Sequence, residues 1–258
     1  MTSCHTIMQL SDTHLCADKN ESLQDVATWE TLTNVLSHST SKFPHADLYV
    51  VTGDLSHDGS ARSYRNMKDL FADVEKTFYV IPGNHDDLQK ILSVLLSENT
   101  RLKRYIDLGA WRIVFVNSQV QGEEFGFVKS PEIRNIRTKR GSDGQNILVC
   151  MHHPPVALGS HWIDKSRLRN AMELINAIEE TAGTKVLVWG HAHQEYAATR
   201  NGLIMLGAPS TCAQFKPGTD GFELDHIAPG YRAIRLYDNG TVESEVVRVD
   251  QREGIKEA

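Results

Sequence analysis

Residues 78–87 read FYVIPGNHDD, and this stretch indicates both the fold and the place of a functional site. The apolar run FYVI suits a buried strand, and the Pro-Gly pair that follows turns the chain into Asn-His-Asp-Asp. Ionisable side chains crowded at the end of a buried strand are costly unless a partner holds them there. The sequence therefore predicts a site at the carboxyl end of this strand.

Four other apolar runs have the same kind of ending. They are IMQL before Ser11-Asp12-Thr13-His14, DLYVV before Gly53-Asp54, NILVCM before His152-His153, and KVLVW before Gly190-His191-Ala192-His193. None of these runs alternates with polar residues, which is typical of strands covered on both faces. Because ligand sites of open α/β sheets lie beyond the carboxyl ends of the strands, we expect the endings to meet.

Helical patterns separate the apolar runs. We predict helices at about residues 23–41, 60–75, 87–97, 131–140 and 166–182. Strands that alternate with helices are typical of βα units in an α/β fold. The segments RYIDL and WRIVFV read as a hairpin that turns at Gly109-Ala110.

The C-terminal third has a different pattern. From about residue 194 to 250 the segments become β-like, and Asn-Gly turns lie at 201–202 and 239–240. Two packed sheets flanked by helices fit this order better than one doubly wound sheet. We expect a single domain over residues 1–258, in which the part 194–250 completes the second sheet and the rim of the pocket.

Composition and charge narrow the class of protein. The net charge is −6 and no long basic run is present, which argues against a general nucleic-acid binder. No apolar run approaches the ~18–20 residues of a membrane span, and the first residues lack a signal-peptide pattern. The four cysteines form no CxxC pair, which favours free thiols. We expect a cytoplasmic protein without a membrane partner, and the sequence leaves its oligomeric state open.

The residues at the strand ends are suited to metal binding. They are Asp, Asn and His without Cys, a donor set that suits manganese, iron, zinc or cobalt. The spacing of Asp12 with His14, and of His191 with His193, puts two side chains on one side of an extended segment. Each pair can then bind one metal ion or two adjacent ions.

The order DxH, GD, GNHD, H and GHxH resembles the calcineurin-like metallophosphoesterase superfamily. The resemblance implies an α/β fold, a four-layer α-β-β-α sandwich of two mixed sheets flanked by helices. It implies two metal ions, iron or manganese by preference, with zinc or cobalt as alternatives. The first would be held by Asp12, His14, Asp54 and His193, and the second by Asp54, Asn84, His152 and His191.

The same resemblance implies roles for the residues beside the metals. Asp54 would bridge the two ions. His85 would contact the phosphoryl oxygens and pass a proton to the leaving oxygen, and Asp86 would orient His85. The residues expected to lie against the substrate are His14, Asn84, His85, His193 and Trp162.

Segments outside the metal motifs are similar to the bacterial 3′,5′-cyclic AMP phosphodiesterases of class III. These segments are GDLSHDG at 53–59, WxDxxxLRNA at 162–171, STCAQFKP at 210–217 and LDHIAPGYR at 224–232. The similarity implies a small-molecule substrate, cyclic AMP, which is opened to 5′-AMP by attack of a metal-bridging hydroxide. Trp162 would stack on the purine base, or else pack under its loop.

Three other functions remain open from the sequence. The same metals could act on a 2′,3′-cyclic nucleotide, a glycerophosphodiester or a nucleotide pyrophosphate, because specificity resides in loops. A scaffold of the same fold without activity, or a protein that binds cyclic AMP without cleaving it, would have no use for a full set of metal ligands. Turnover of different phosphodiesters separates these alternatives.

Several residues near the motifs have weaker assignments. We expect His57 to be a loop residue near the pocket and His153 to point away from the metals. Arg169 and Asn170 would contact a phosphate or ribose, or else only begin a helix. Phe215 lies in a loop that could reach the pocket, and Lys216 reads as a solvated surface charge.

Overall fold

The computed structural model describes residues 2–138 and 145–250. Its strands are β1 (Cys4–Leu10), β2 (Ser22–Leu23), β3 (Val26–Ala27), β4 (Leu48–Thr52), β5 (Thr77–Ile81), β6 (Thr100–Arg101), β7 (Tyr105–Leu108), β8 (Trp111–Phe115), β9 (Asn146–Cys150), β10 (Lys185–Trp189), β11 (Tyr196–Arg200), β12 (Leu203–Gly207), β13 (Gln214–Phe215), β14 (Leu224–Asp225), β15 (Gly230–Tyr237) and β16 (Val242–Arg248). Its helices are α1 (Thr28–Lys42), α2 (Ala61–Ala72), α3 (Leu88–Lys90), which continues as a π-helical turn over Ile91–Leu95, α4 (Ser130–Thr138), α5 (His161–Asp164) and α6 (Ala171–Glu179).

Two large mixed sheets form the centre of the molecule. The first has the strand order β16-β15-β1-β4-β5-β6, and the second has the order β11-β12-β10-β9-β8-β7. In the first sheet β1, β4, β5 and β6 are parallel, and β15 pairs antiparallel with β1. In the second sheet β8, β9, β10 and β12 are parallel, with β7 and β11 antiparallel at the edges. The parallel core of the first sheet thus has antiparallel strands on one side only, and that of the second has one antiparallel strand at each edge.

Three apolar clusters define four layers. One cluster joins the inner faces of both sheets, with Val50 of β4 and Val188 of β10 among its members. A second cluster packs α1 and α2 on the outer face of the first sheet, and a third packs α4 and α6 on the outer face of the second. Adjacent residues of β4 point to opposite faces, as the period of a strand requires. This arrangement confirms the predicted α-β-β-α sandwich of two mixed sheets flanked by helices.

Two helices, α1 and α6, begin later than the sequence pattern indicates, whereas α2, α3 and α4 begin within one residue of their predicted starts. Gln24 and Asp25 have positive φ angles of 52° and 63° and turn the hairpin of β2 and β3, so α1 starts at Thr28 rather than near residue 23. The last helix starts at Ala171 rather than 166, because the backbone before it bonds to neighbouring loops through Leu168 and Arg169. The segment 87–97 is a short α-helix and a π-helical turn. Residues 139 and 140 of the helix predicted at 131–140 lie outside the described residues.

The C-terminal part contributes to both sheets. β11 and β12 extend the second sheet, as expected, but β15 and β16 form one flank of the first. β15 pairs with β1, whose N-terminal half, Cys4–Thr6, lies outside the predicted IMQL run. The division of the chain into domains stays a prediction. All four cysteines are free thiols, as expected. None of the described helices has the length and apolar character that crossing a bilayer requires.

Candidate metal centre and active site

The five predicted strand ends meet at one edge of the sandwich. The adjacent strands β1, β4 and β5 of the first sheet and β9 and β10 of the second end there. Hydrogen bonds join the endings across the sheets. The backbone amide of His191 donates to both side-chain carboxylate oxygens of Asp12, at 3.0 and 2.9 Å. The chain folds this way because each ending follows a buried apolar strand that fixes its position.

The first group of donor atoms contains Asp12, His14 and His193. His14 Nε2 lies 3.2 Å from His193 Nε2, and His193 Nε2 lies 3.6 Å from Asp12 Oδ1. All three residues are buried. Metal–nitrogen bonds of about 2.1 Å would put neighbouring ligand atoms about 3.0–3.4 Å apart. The distance between the two histidine nitrogens lies within this range and that from His193 to Asp12 is 0.2 Å beyond it, so a small shift of one side chain would let the three atoms share a metal ion.

The second group contains Asn84, His152 and His191. His152 Nε2 lies 3.0 Å from Asn84 Oδ1 and 3.2 Å from His191 Nδ1. These distances fit a second ion by the same criterion. Asn84 supplies a neutral oxygen at a place where a further carboxylate would add negative charge beside Asp54.

Asp54 lies between the two groups. Its Oδ1 atom is 3.4 Å from His152 Nε2, and its Oδ2 atom is 3.6 Å from His14 Nε2. One carboxylate thus faces both groups, each with a different oxygen. The seven side chains expected to be ligands lie close together. Their division between two ions stays a prediction, because Asp12, Asp54 and His152 also place their ligand atoms within 4.8 Å of one another.

Three of the histidines in the two donor groups make a second contact. One ring nitrogen faces the other donor atoms, and the second ring nitrogen has a hydrogen-bond partner outside the group. His152 Nδ1 donates to the carbonyl oxygen of Thr52 at 2.8 Å, and His193 Nδ1 donates to that of Ala213 at 2.7 Å. His191 Nε2 lies 3.0 Å from the hydroxyl of Ser166. Such partners fix the tautomer and orient the other nitrogen toward a metal, so the donor set fits metal ions.

The backbone at the site is strained in a consistent way. Asp12, His14, Asp54, His191 and His193 all have positive φ angles, between 43° and 65°. Residues other than glycine rarely adopt this region, and such strain concentrates at functional sites. These segments are therefore not extended, and the side chains of Asp12 and His14 converge through strained turns rather than through the alternation of a strand. The predicted pairing is right, but its geometric reason is different.

Two glycines allow the strand ends to approach each other. A Cβ atom on Gly53, whose φ is +90°, would lie 2.3 Å from the ring of His152. A Cβ atom on Gly83 would lie 2.1 Å from the carboxylate of Asp54. Both contacts are too short for any side chain. The glycines before Asp54 and Asn84 are thus needed for close packing between the strand ends.

Burial and mutual charge set the protonation of the site. Burial lowers the pKa of His193 to about 4 and holds that of His14 well below its usual range. Burial opposes the ionisation of Asp54, but the charge of His152 keeps its pKa well below the usual range. Burial also disfavours the charged form of His152, yet Asp54 raises its pKa to about 9. An ionised Asp54 among mostly neutral imidazoles attracts positive charge, as metal binding requires.

His85 stands beside both groups at the mouth of the site. Its ring contacts that of His14, with centroids 4.9 Å apart, and its Nδ1 donates to the carbonyl oxygen of His57 at 3.1 Å. Its amide donates to Asp54 Oδ1 at 3.0 Å. His85 therefore occupies the predicted position next to the metal ligands.

Asp86 does not orient His85 directly, contrary to expectation. The Asp86 carboxylate is buried and accepts from the amides of Leu55, Ser56 and Gly83 and from the Tyr64 hydroxyl. Consecutive residues of a tight turn point in different directions, so the acid that follows His85 faces inward. Its role is to hold the turns after β4 and β5 together.

A pocket opens over the two groups. Besides ligand residues and His85, it is lined by Glu124, Trp162, Ile163, Ser166 and Phe215. Phe215 stacks on the ring of His193 at a centroid distance of 3.9 Å. Trp162 meets Phe215 and Phe222 edge to face, each at 5.2 Å. Trp162 thus both lines the pocket and packs within its loop, so the two expectations for it are compatible.

The remaining candidates divide into near and distant residues. His57 lies near the pocket, as expected, with its ring 5.3 Å from that of His85. His153, expected to point away from the metals, is fully buried with its Nδ1 2.7 Å from the hydroxyl of Ser118, yet its ring lies 4.9 Å from that of His191 and could join a donor group with His152 and His191. Asn170 bonds both backbone groups of Val128 and precedes α6, which supports the helix-start reading. Lys216 is exposed and pairs with Glu223, as a surface charge does.

The sequence reasoning missed Ser166 and Glu124. Ser166 lies inside the segment 162–171 that carries the resemblance, but a serine four residues after a tryptophan has no distinctive spacing. Glu124 lies in a loop after β8 with no motif around it. Their places in the pocket depend on loop conformation, which local sequence patterns do not determine.

Comparisons with a family model and with curated proteins agree with each other. The family model of calcineurin-like phosphoesterases matches residues 5–195. The chain is 36% identical over 245 residues to the 3′,5′-cyclic adenosine monophosphate phosphodiesterase CpdA of Pseudomonas aeruginosa, which covers 95% of this chain and 90% of that protein. It is also 36% identical over 245 residues to CpdA of Escherichia coli (strain K12), covering 94% of this chain and 89% of that protein.

Solved structures resemble the fold at much lower sequence identity. A dimetal phosphatase from Danio rerio superposes with a TM-score of 0.63 at 13% identity, covering 95% of this chain and 99% of that one. At this identity the likeness concerns the fold alone. It agrees with the two mixed sheets and outer helices described above.

Proposed function

Because the chain belongs to the calcineurin-like phosphoesterase family, we propose that it is a dinuclear metal phosphodiesterase that hydrolyses 3′,5′-cyclic AMP to 5′-AMP. The observation that carries the proposal is the position of Asp54, whose two oxygens face two separate groups of metal-binding side chains. The substrate is supported by the 36% identity to CpdA over 95% of the chain. The activity class follows from the family, and the substrate and the two-ion mechanism are the proposal.

The ligands are assigned by the two groups. Asp12, His14, Asp54 and His193 would hold one ion, and Asp54, Asn84, His152 and His191 would hold the other. Two bound ions would polarise the phosphodiester and supply a water-derived nucleophile at neutral pH. The preferred metals are iron or manganese, and zinc or cobalt also suit nitrogen and oxygen donors.

His85 is the residue proposed to protonate the leaving group. Its Nδ1 is engaged by the carbonyl oxygen of His57, so Nε2 is the ring nitrogen left for the substrate. As the bond between phosphorus and the 3′-oxygen breaks, protonated Nε2 would give its proton to that oxygen. Water supplies the oxygen of the new bond to phosphorus, which yields the 5′-phosphomonoester.

Trp162 is proposed to contact the adenine base. It lines the same pocket as His85 and the ligand residues, and its ring is half-buried. Aromatic side chains bind bases by stacking, which is worth about 1–3 kcal/mol per base. His14, Asn84, His85 and His193 would lie against the phosphodiester end of the same substrate.

The substrate is tested by comparing turnover of matched phosphodiesters. Protein loaded with Mn²⁺ is incubated with 3′,5′-cyclic AMP, 2′,3′-cyclic AMP, glycerophosphocholine and bis(4-nitrophenyl) phosphate, and kcat/KM is measured for each. Chelated protein serves as the control. We expect 3′,5′-cyclic AMP to have the highest kcat/KM and 5′-AMP to be the product. A higher kcat/KM for another diester would show that cyclic AMP is not the preferred substrate. The absence of turnover with all four compounds would contradict the proposed phosphodiesterase activity.

A further inference from the structure

His57 connects two functional residues that do not share a strand. It lies in the turn after β4, three residues beyond Asp54, and its side chain is half-buried. Its ring stacks on that of His85 at a centroid distance of 5.3 Å and an interplanar angle of 22°. The ring of His14 meets the ring of His57 at 5.5 Å and 62°.

The first connection runs from His57 to a metal ligand. His14 points Nε2 into the first group, 3.2 Å from His193 Nε2, and its other nitrogen, Nδ1, lies 3.5 Å from Nδ1 of His57. A neutral imidazole that binds a metal through Nε2 carries its proton on Nδ1. Nδ1 of His14 is therefore a donor, and Nδ1 of His57 is the acceptor that faces it.

This contact completes a pattern seen at the other histidines of the site. His152 and His193 direct the remaining ring nitrogen to backbone carbonyls, and His191 directs it to Ser166. At His14 the corresponding nitrogen faces a side chain instead. The tautomer of His57 must then carry its proton on Nε2, so that Nδ1 offers a lone pair.

The second connection runs from His57 to His85. The carbonyl oxygen of His57 accepts the hydrogen bond from His85 Nδ1 at 3.1 Å. A carbonyl only accepts, so this bond holds one proton on Nδ1 of His85 and leaves Nε2 toward the pocket, where the imidazolium form carries the second proton. One residue thus sets the tautomer of a proposed metal ligand and orients the proposed proton donor.

The turn that carries His57 is itself fixed. The amide of His57 donates to the carbonyl oxygen of Leu15 at 3.0 Å, which ties the turn to the ending of β1. The buried carboxylate of Asp86 accepts from the two preceding amides, those of Leu55 and Ser56. Asp86 therefore supports the turn that leads into His57.

We propose that His57 is a positioning residue of the metal centre, which orients the ligand His14 through its side chain and the proton donor His85 through its carbonyl oxygen and ring. The inference rests on the metal centre of the proposed function. Ring nitrogens of His57, His14 and His85 lie within 4.8 Å of one another. Since Nδ1 of His57 faces Nδ1 of His14 and not the Nε2 that faces His193, we assign its effect on metals and turnover to contacts with His14 and His85.

The side-chain contact is tested by two variants that differ in one property. His57→Asn keeps an acceptor, because Oδ1 of Asn is the same number of bonds from Cα as Nδ1 of His. His57→Leu has similar bulk and no acceptor. The dissociation constants of Mn²⁺ are measured by calorimetric titration of the metal-free native protein and of both variants. The control is His45→Ala, which replaces an exposed histidine.

The expected result is selective. In His57→Leu one of the two Mn²⁺ dissociation constants rises about 10- to 100-fold, as is usual when a partner of a ligand histidine is lost. The other constant stays as in the native protein, and His57→Asn restores most of the loss. If His57→Leu is misfolded by circular dichroism, His57→Ala takes its place. The inference would be overturned if His57→Leu bound Mn²⁺ with native affinity, or if His57→Asn lost as much Mn²⁺ affinity as His57→Leu.

Co²⁺ spectroscopy and kinetics supply readouts that a purely structural role would not change. At one equivalent of Co²⁺ the visible absorption of His57→Leu should differ from that of native protein, and His57→Asn should restore it. At saturating Mn²⁺, kcat of His57→Leu for cyclic AMP should fall about 10-fold with KM unchanged. An unchanged spectrum and kcat would contradict the role. A native protein that binds two ions without cleaving cyclic AMP would refute the proposed substrate alone, and one that binds no metal would refute both.

Discussion

The Oδ1 atom of Asp54 lies 3.4 Å from Nε2 of His152, while the other oxygen of the same carboxylate lies 3.6 Å from His14. The two histidines follow strands of different sheets, β9 and β1. A single side chain at the end of β4 therefore connects the metal-binding groups of both sheets.

Replacing Asp54 by Ala should remove metal and activity together. Each group would lose a negatively charged ligand, and the imidazoles that remain in each group would hold an ion weakly. Metal content measured by elemental analysis after dialysis should fall from two ions per chain to less than one. The control is Asp73→Ala, which removes an exposed carboxylate at the end of α2. Two retained ions in Asp54→Ala would rule out a shared carboxylate.

Replacing His85 by Ala should separate metal binding from turnover. The ring of His85 contacts His14 but supplies no atom to either group of donors, so both ions should remain. Loss of a general acid typically costs 10²- to 10⁴-fold, and we expect kcat to fall by about that factor. Steady-state kinetics and metal analysis on the same preparation check this. Full turnover would exclude His85 from the mechanism, and loss of metal would make it a ligand.

Replacing Asp86 by Asn should destabilise the fold. The carboxylate accepts from three backbone amides and the hydroxyl of Tyr64, at 2.8–3.1 Å. In Asp86→Asn the side-chain NH₂ group would replace one carboxylate oxygen, so that N–H groups would face N–H or O–H groups without an acceptor between them. Each buried donor without a partner costs about 1–3 kcal/mol, so we expect a loss of about 3 kcal/mol in urea unfolding.

Tyr64→Phe is the matched variant for Asp86. It removes one of the four donors to Asp86 and also the acceptor of the Asp87 amide, and it should still cost less, about 1–2 kcal/mol, because no donor is turned toward another donor. An Asp86→Asn protein with native unfolding free energy would show that these contacts do not support the turns. A variant that is stable yet inactive would instead favour the direct role first expected for Asp86.

Replacing Trp162 by Ala should weaken binding of cyclic AMP. If the indole stacks on adenine, its loss should raise KM about 5- to 150-fold, from a stacking energy of about 1–3 kcal/mol. Trp162→Phe keeps an aromatic face and the packing against Phe215, and it should retain most of the affinity. A KM for cyclic AMP that is unchanged in Trp162→Ala would reject the stacking contact.

The sequence predicts much of the fold because its strongest signals are local. Five apolar runs without polar alternation identified the central strands, and the residues directly after them identified the metal-binding ends. Helix starts were less well predicted. The turn at Gln24 and Asp25 depends on positive φ angles that an amphipathic pattern does not reveal.

The supporting residues of the site could not be read from sequence for a related reason. Ser166 and Glu124 reach the pocket through loops whose course is set by long-range contacts. His57 was expected near the pocket, but its contacts with His14 and His85 depend on bonds such as the one from its amide to Leu15. Asp86 follows His85 directly, and adjacency in sequence suggested a contact that the turn prevents. The convergence of the strand ends was predictable from local patterns, whereas the contacts made by loops required the structure.

Anomalous diffraction from crystals grown with Mn²⁺ tests the central claim most directly. The account predicts two anomalous peaks, one beside His14 and His193 and the other beside His152 and His191, with the carboxylate of Asp54 between them. A single peak, or a pair of peaks that Asp54 does not contact, would contradict it.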